Sequence, residues 1–274
     1  MKIYKKWLLV AACCLGAQQA HAIPVDLELV LLNDVSGNVS AAEFALQRAG
    51  YEAVFRNTNI IAAIESGAIG TIAVTLVDWS ERQSEAVPWT LISDSASSNS
   101  FADAIARALR PTNIGSSTEM AAAMNFATNN IVLPDNNLEG TRIVLDVSGH
   151  GGGCGAGELV CSDVQNERNE ALDAGVDTIN ALWIDDLNLF GDDRDDAINA
   201  LEFGNRNVLG GDSPFQLIAQ DFDEFGSVIE AKILREITGD PLNEVPEPGM
   251  LALLGAGLVN LSLLRRRRKD SQIV

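Results

Sequence analysis

Lysine is nearly missing from the body of this 274-residue chain. Of its 19 lysines and arginines, eight sit at the two ends: Lys2, Lys5 and Lys6 near the start, and Arg265, Arg266, Arg267, Arg268 and Lys269 near the finish. Eleven basic residues remain between them, and Lys232 is the one lysine in that set. This scarcity argues against a phosphate-cradling P-loop lysine or a Schiff-base lysine. Set against 38 acidic residues, it leaves a body more acidic than the formal charge of −19 states. Such a surface repels nucleic acid and anionic membranes. Histidine is scarce too, with only His21 and His150. The string His150-Gly151-Gly152-Gly153 copies the oxyanion loop of lipases and esterases, but no G-x-S-x-G string accompanies it. A Ser-His-Asp hydrolase is therefore not expected, and no other catalytic motif stands in its place. The body is read as non-enzymatic.

Both ends carry export signals. Lys2, Lys5 and Lys6 precede an apolar run over residues 7–16 and the A-x-A string Ala20-His21-Ala22, the pattern of a secretory leader cut by signal peptidase. Residues 1–22 are then a signal peptide, which takes His21, Cys13 and Cys14 with it. Two cysteines remain, Cys154 and Cys161, in one glycine-rich loop. In an exported chain this spacing suggests a local disulfide, with two free thiols as the alternative. At the far end Pro246-Glu247-Pro248 precedes an apolar stretch over residues 250–264 and then the arginine cluster. Fifteen apolar residues fall slightly short of the roughly 20 of a comfortable span, and the arginines would stay cytoplasmic with the body outside. This order is similar to the PEP-CTERM sorting signal over residues 246–269. The resemblance implies transient anchoring in the inner membrane, cutting by an exosortase near Pro246, Glu247 and Pro248, and delivery to the cell surface or extracellular matrix. The alternative is a plain membrane anchor. Residues 238–245 read as the linker.

Between the ends the chain alternates aliphatic runs with helical patterns. Strands are expected over residues 25–32, 71–79, 87–92, 141–147 and 176–184. Helices are expected over 41–56, with Ser40 and Glu43 as a capping box and Phe44, Leu46, Tyr51, Val54 and Phe55 as the apolar face, and over 59–66, 97–109, 118–127 and 164–174. A long helix, or two abutting ones, is expected over 215–237. The acidic stretch 185–196 begins like an EF-hand loop but places Phe190 and Ala197 at ligand positions, so it reads as a solvated loop. Strands alternating with helices predict an α/β fold: a doubly wound, mostly parallel sheet flanked by helices on both faces.

The stretch with chemical content is residues 29–40, LVLLNDVSGNVS. A run without polar alternation suits a strand buried on both faces, and Asp34, Ser36 and Asn38 follow at its carboxyl end, where open α/β sheets hold ligands. Oxygen-bearing side chains of this kind suit hard divalent cations. The same residue types also serve ordinary turns and caps.

Asp34-Val35-Ser36-Gly37-Asn38 resembles the D-x-S-x-S motif of von Willebrand factor A-type domains, with Asn38 in place of the second serine. The loop 115–124, GSSTEMAAAM, resembles the family loop whose threonine reaches the metal, here Thr118 or, failing that, Ser117. The likeness extends to an uncharacterised bacterial branch of that superfamily and covers most of residues 25–237. The resemblance implies a Rossmann-like fold over residues 23–237 with a metal-ion-dependent adhesion site. His150 departs from it, standing where the branch has an aspartate. Asp146 lies within its strand and is expected to face elsewhere. Three outcomes follow: weak Mg²⁺ binding completed by a partner's carboxylate, with Mn²⁺ and Ca²⁺ as alternatives; a softer ion held through His150; or a relic without metal. The functional expectation is an exported binding or adhesion module for a protein or polysaccharide ligand. The alternatives are an inert component of the extracellular matrix and, least supported, a metal-dependent extracellular hydrolase.

Overall fold

An aliphatic strand can be buried on both faces only if each face has a helical layer to cover it. In the computed structural model, which describes residues 22–134, 136–150, 160–184 and 200–239, that is how the central strand is placed. A short strand β1 (Ile23–Val25) leads into β2 (Leu27–Asp34), every residue of which is buried. Helices α1 (Ala41–Arg56) and α2 (Thr58–Glu65) follow, then β3 (Ile72–Trp79), β4 (Gln83–Ile92) and α3 (Ser95–Arg107). Helix α4 (Met120–Phe126) runs on into a π-helical turn, Ala127–Val132. Then come β5 (Leu138–Gly140), β6 (Ile143–Gly149), α5 (Ser162–Asp173) and β7 (Thr178–Ile184). After a second π-helical turn, Gly204–Val208, the chain adds β8 (Gly210–Gly211), β9 (Gln216–Ala219) and α6 (Phe222–Thr238).

The main sheet has the order β4-β3-β2-β6-β7, with β8 and β9 both pairing β7. Strands β2, β3, β6, β7 and β9 are parallel, while β4 and β8 run antiparallel to their neighbours. Leu27, Leu29 and Leu31 of β2 join Tyr51, Val54 and Phe55 of α1 and Phe225, Ile229 and Ile233 of α6 in one core. Val30 and Leu32 join Met120 and Met124 of α4, Val164 of α5 and Trp183 of β7 in the other. The doubly wound sheet predicted by the alternation is thus the observed one.

Several elements differ from the sequence reading for identifiable reasons. Residues 25–32 are not one strand: Asp26 breaks the run by accepting hydrogen bonds from the backbone of Ile69 and Gly70, and β1 pairs β5 apart from the main sheet. Strand β4 is longer than 87–92. Its ladder to β3 slips where Pro88, which has no N–H to donate, meets the partner strand, so the proline sits at an irregularity on the sheet's edge. Residues 215–237 are not continuously helical. Gln216–Ala219 pairs with Ala181–Ile184, and Asp221, extended in backbone, caps α6 by accepting from Glu224 N. On α1 the capping box forms as read, but Leu46 is 39% exposed while Gln47 and Arg48 are buried.

Among the described residues no helix is long and apolar enough to cross a membrane. The leader through residue 21, Cys154, the acidic stretch 185–196, most of the linker, and the sorting signal with its apolar stretch 250–264 all lie outside the described residues.

Candidate metal centre

Two loops meet at the carboxyl end of β2, and hydrogen bonds to their backbone fix both. Val35 N donates to Trp79 O at 2.9 Å, which holds the first loop to the end of β3. Arg110 donates through one nitrogen to the carbonyls of Val35 and Ser36, both at 2.9 Å. Gly37 N donates to Ser116 O at 2.9 Å, and a Cβ at Gly37 would stand 3.0 Å from Ser116 Cβ, so the two loops can touch only because residue 37 has no side chain. The second loop is anchored from the turn between β3 and β4: Ser80 Oγ donates to Ser117 O at 2.9 Å, and Arg82 N to Ile114 O at 2.8 Å.

On this frame the oxygen side chains converge. Asp34 is fully buried, and its Oδ1 accepts from Ser36 N at 2.8 Å, which turns the chain so that Ser36 stands beside Asp34. Thr118 Oγ1 donates to Ser36 Oγ at 3.3 Å. Thr118 does not cap the following helix. That helix begins at Met120, and its N-terminal position, Glu119, makes no side-chain capping bond. The hydroxyl is turned to the site instead. His150, at the end of β6 and only 6% exposed, brings Nδ1 to 3.5 Å from Asp34 Oδ2. Its ring lies 5.1 Å from that of Phe222, and Nε2 is buried without a hydrogen-bond partner. The structure therefore brings together Asp34, Ser36, Thr118 and His150. Asn38 is exposed, and no hydrogen bond joins it to the other four; Ser117 is likewise exposed. Asp146 faces away, as read, into an ion pair with Lys232 Nζ at 2.5 Å. Cys161 is disulfide-bonded and buried, while Cys154 lies outside the described residues, so the pairing of the two stays an expectation.

A buried polar layer under the site has no counterpart in the sequence reading. Gln47 donates to the carbonyl of Asp34 at 3.0 Å, Asn33 bridges Gln47 and Asp78 at 3.3 Å each, and Arg48 pairs with Asp78 while also donating to Ala108 O. Burial pushes the Asp78 carboxyl above the usual range, and the Arg48 guanidinium opposes that shift. The signal was available in α1: Arg48 stands four residues after Phe44 and three before Tyr51, on the stripe that faces the core.

The donor set is an incomplete one for a divalent ion. One carboxylate, two hydroxyls and one imidazole are linked in a chain of pairwise contacts. Among the described residues no group of three or more His, Cys, Asp or Glu side chains could hold a metal. An all-protein cage is thus not offered; an ion here keeps open positions for water or for a second molecule.

A sequence profile of a family described as "Protein of unknown function (DUF1194)" matches residues 24–241, and the PEP-CTERM protein-sorting motif matches residues 244–269. Among curated proteins none matches. Among solved structures, proximal thread matrix protein 1 from the mussel byssus is similar at 12% identity with a TM-score of 0.53, over 80% of this chain and 49% of that one. The chain thus spans about half the length of the mussel protein. That protein has also been solved with a zinc-occupied MIDAS motif, at 15% identity and a TM-score of 0.49, over 79% and 49%. The vWF domain of the type V pili tip protein Mfa5 from Porphyromonas gingivalis is similar at 9% identity with a TM-score of 0.50, over 82% of this chain and all of that one. The likenesses at TM-scores of 0.53 and 0.50 show the fold: a von Willebrand A-like α/β domain.

Proposed function

Given that the chain belongs to the DUF1194 family and carries a PEP-CTERM signal for export, we propose that it is an exported binding or adhesion module that holds a divalent cation at Asp34, Ser36 and Thr118 and presents it to a partner. The observation that carries this reading is the turning of Thr118. Thr118 stands one position before Glu119, the cap residue of the helix that begins at Met120. Here the hydroxyl reaches across to Ser36 from a different loop, and the helix start is left without a side-chain cap. A hydroxyl brought from a second loop to the neighbour of a buried carboxylate supports a cation site.

The body acts as a binder and not as an enzyme on this reading. The ligand is a protein or polysaccharide outside the cell, and an acidic group from it completes the ion's shell. Exosortase processing near Pro246, Glu247 and Pro248 follows transient anchoring through residues 250–264 and delivers the domain to the surface or matrix. Titration calorimetry of the purified full chain with Mg²⁺, Mn²⁺, Ca²⁺ and Zn²⁺ tests the site. Saturable binding with at least one ion is expected, with a loss of about 100-fold or more in Asp34→Ala at unchanged secondary structure. Indifference to all four ions would sink this reading in favour of an inert matrix component.

A further inference from the structure

The ring of His150 is placed badly for a hydrogen bond and well for a metal. Its Nδ1 stands 3.5 Å from Asp34 Oδ2, beyond the roughly 2.7–3.2 Å of a good N–H···O bond. Its Nε2 has no partner at all, although the side chain is buried. A buried imidazole with one nitrogen unpartnered and the other held only by a long 3.5 Å contact is unusual, because buried polar atoms are normally well paired. A 3.5 Å separation is, however, close to the spacing of two ligands on one tetrahedral ion. Metal–nitrogen and metal–oxygen bonds of about 2.0–2.1 Å put their outer atoms about 3.3 Å apart. Gly149 lets the backbone pass close to the carboxylate, since a Cβ there would stand 3.3 Å from Asp34 Oδ2 and 3.2 Å from the Trp79 ring.

We infer that His150 Nδ1 is a ligand of the Asp34 site and that the site therefore selects a borderline divalent ion of the Zn²⁺ class over Mg²⁺. The inference rests on the cation-site reading above and sharpens it. Neutral imidazole suits Zn²⁺, Cu²⁺ and Ni²⁺, whereas Mg²⁺ favours carboxylate and water oxygen. With Asp34 as the one carboxylate facing the ion, the nitrogen carries a larger share of the binding than it would beside a second acid. Ser36 and Thr118 supply neutral oxygens, and an open position remains for the ligand.

The test uses the purified full chain and the metal ions alone. Wild type is expected to bind Zn²⁺ at least about tenfold more tightly than Mg²⁺, following the affinity order of nitrogen-bearing sites. His150→Ala should weaken Zn²⁺ about 100-fold or more, and His150→Asp should reverse the preference towards Mg²⁺. X-ray absorption at the zinc edge of the wild-type protein should show an imidazole nitrogen in the shell, a readout that survives even if a variant fails to fold. A preference for Mg²⁺ in wild type overturns the inference while leaving the cation site standing. So does an all-oxygen zinc shell, or Zn²⁺ binding that Asp34→Ala abolishes and His150→Ala leaves intact. Absence of saturable binding by any ion overturns both readings together.

Discussion

Glu236 offers the sharpest test of the packing beneath the site. It lies on α6, fully enclosed, with Oε1 accepting from Lys232 Nζ at 2.7 Å and from Asn180 Nδ2 at 3.0 Å, while Oε2 has no partner. Lys232 also pairs with Asp146, so one ammonium serves two buried carboxylates. Burial, then the charge of Asp146, push the Glu236 carboxyl up to about 8, with Lys232 and Asn180 opposing. The unfolded chain keeps it near 4.5. Below about pH 4.5 both states hold the proton. As the pH rises from there to about 8, the unfolded chain releases it and the folded chain does not, so stability falls. The slope from this group is about 1.4 kcal/mol per pH unit, and the accumulated loss is about 5 kcal/mol as an upper bound. Glu236→Gln keeps the acceptor for Lys232 and Asn180 and cannot titrate. The variant should match the wild type near pH 4.5 and exceed it by a few kcal/mol at pH 8. Urea unfolding of both proteins across this window, followed by the fluorescence of the buried Trp79 and Trp183, reads the difference. Titrating groups remote from Asp146, Lys232 and Glu236 are common to both proteins and cancel in it. A difference that stays constant with pH would refute the assignment of the proton to Glu236.

Arg48→Ala should cost about 3–5 kcal/mol in the same unfolding assay, because it leaves Asp78 buried without its counter-charge; a loss under about 1 kcal/mol would show that the pair is not holding the layer under Asp34. Deleting residues 245–274 should shift the protein from the cell surface to the periplasm, measured by fractionation, and undiminished surface display would contradict the sorting reading.

What the sequence made legible follows from period and from local chemistry. The unbroken aliphatic run of β2, the capping box of α1 and the left-handed Gly175 after α5 are all decided by residues within a few positions of one another, and each was readable. Strand β9 was not. Gln216–Ala219 is too short to show an alternation, and its state depends on Trp183 Nε1 donating to Gln216 Oε1 from a strand more than thirty residues earlier. At the site, Asp34 and Ser36 could be read from position alone. The direction of Thr118 could not, since a threonine near a helix start can turn to the helix or away from it; the structure places its hydroxyl 3.3 Å from Ser36 Oγ. Arg48 and Asp78 were overlooked because each is conspicuous only beside the other, and thirty residues separate them.

The distribution of the body's few cations bears on what a partner can be. Arg194 lies outside the described residues, and the other ten are engaged. Arg48 and Lys232 neutralise buried carboxylates. Arg82, Arg110, Arg142 and Arg168 hold backbone carbonyls. Arg56, Arg107 and Arg206 pair with acids on the surface, and Arg235 stacks 3.8 Å over the Phe215 ring. Little positive charge is left to attract an acidic ligand, and exposed Glu81 and Glu119 flank the loop that carries Thr118. An acidic partner therefore meets repulsion over most of this surface. A bound divalent ion at Asp34 would be the one strong local attraction, so on the proposed reading the ion supplies both the contact and the address, and a chain stripped of metal should lose discrimination together with affinity.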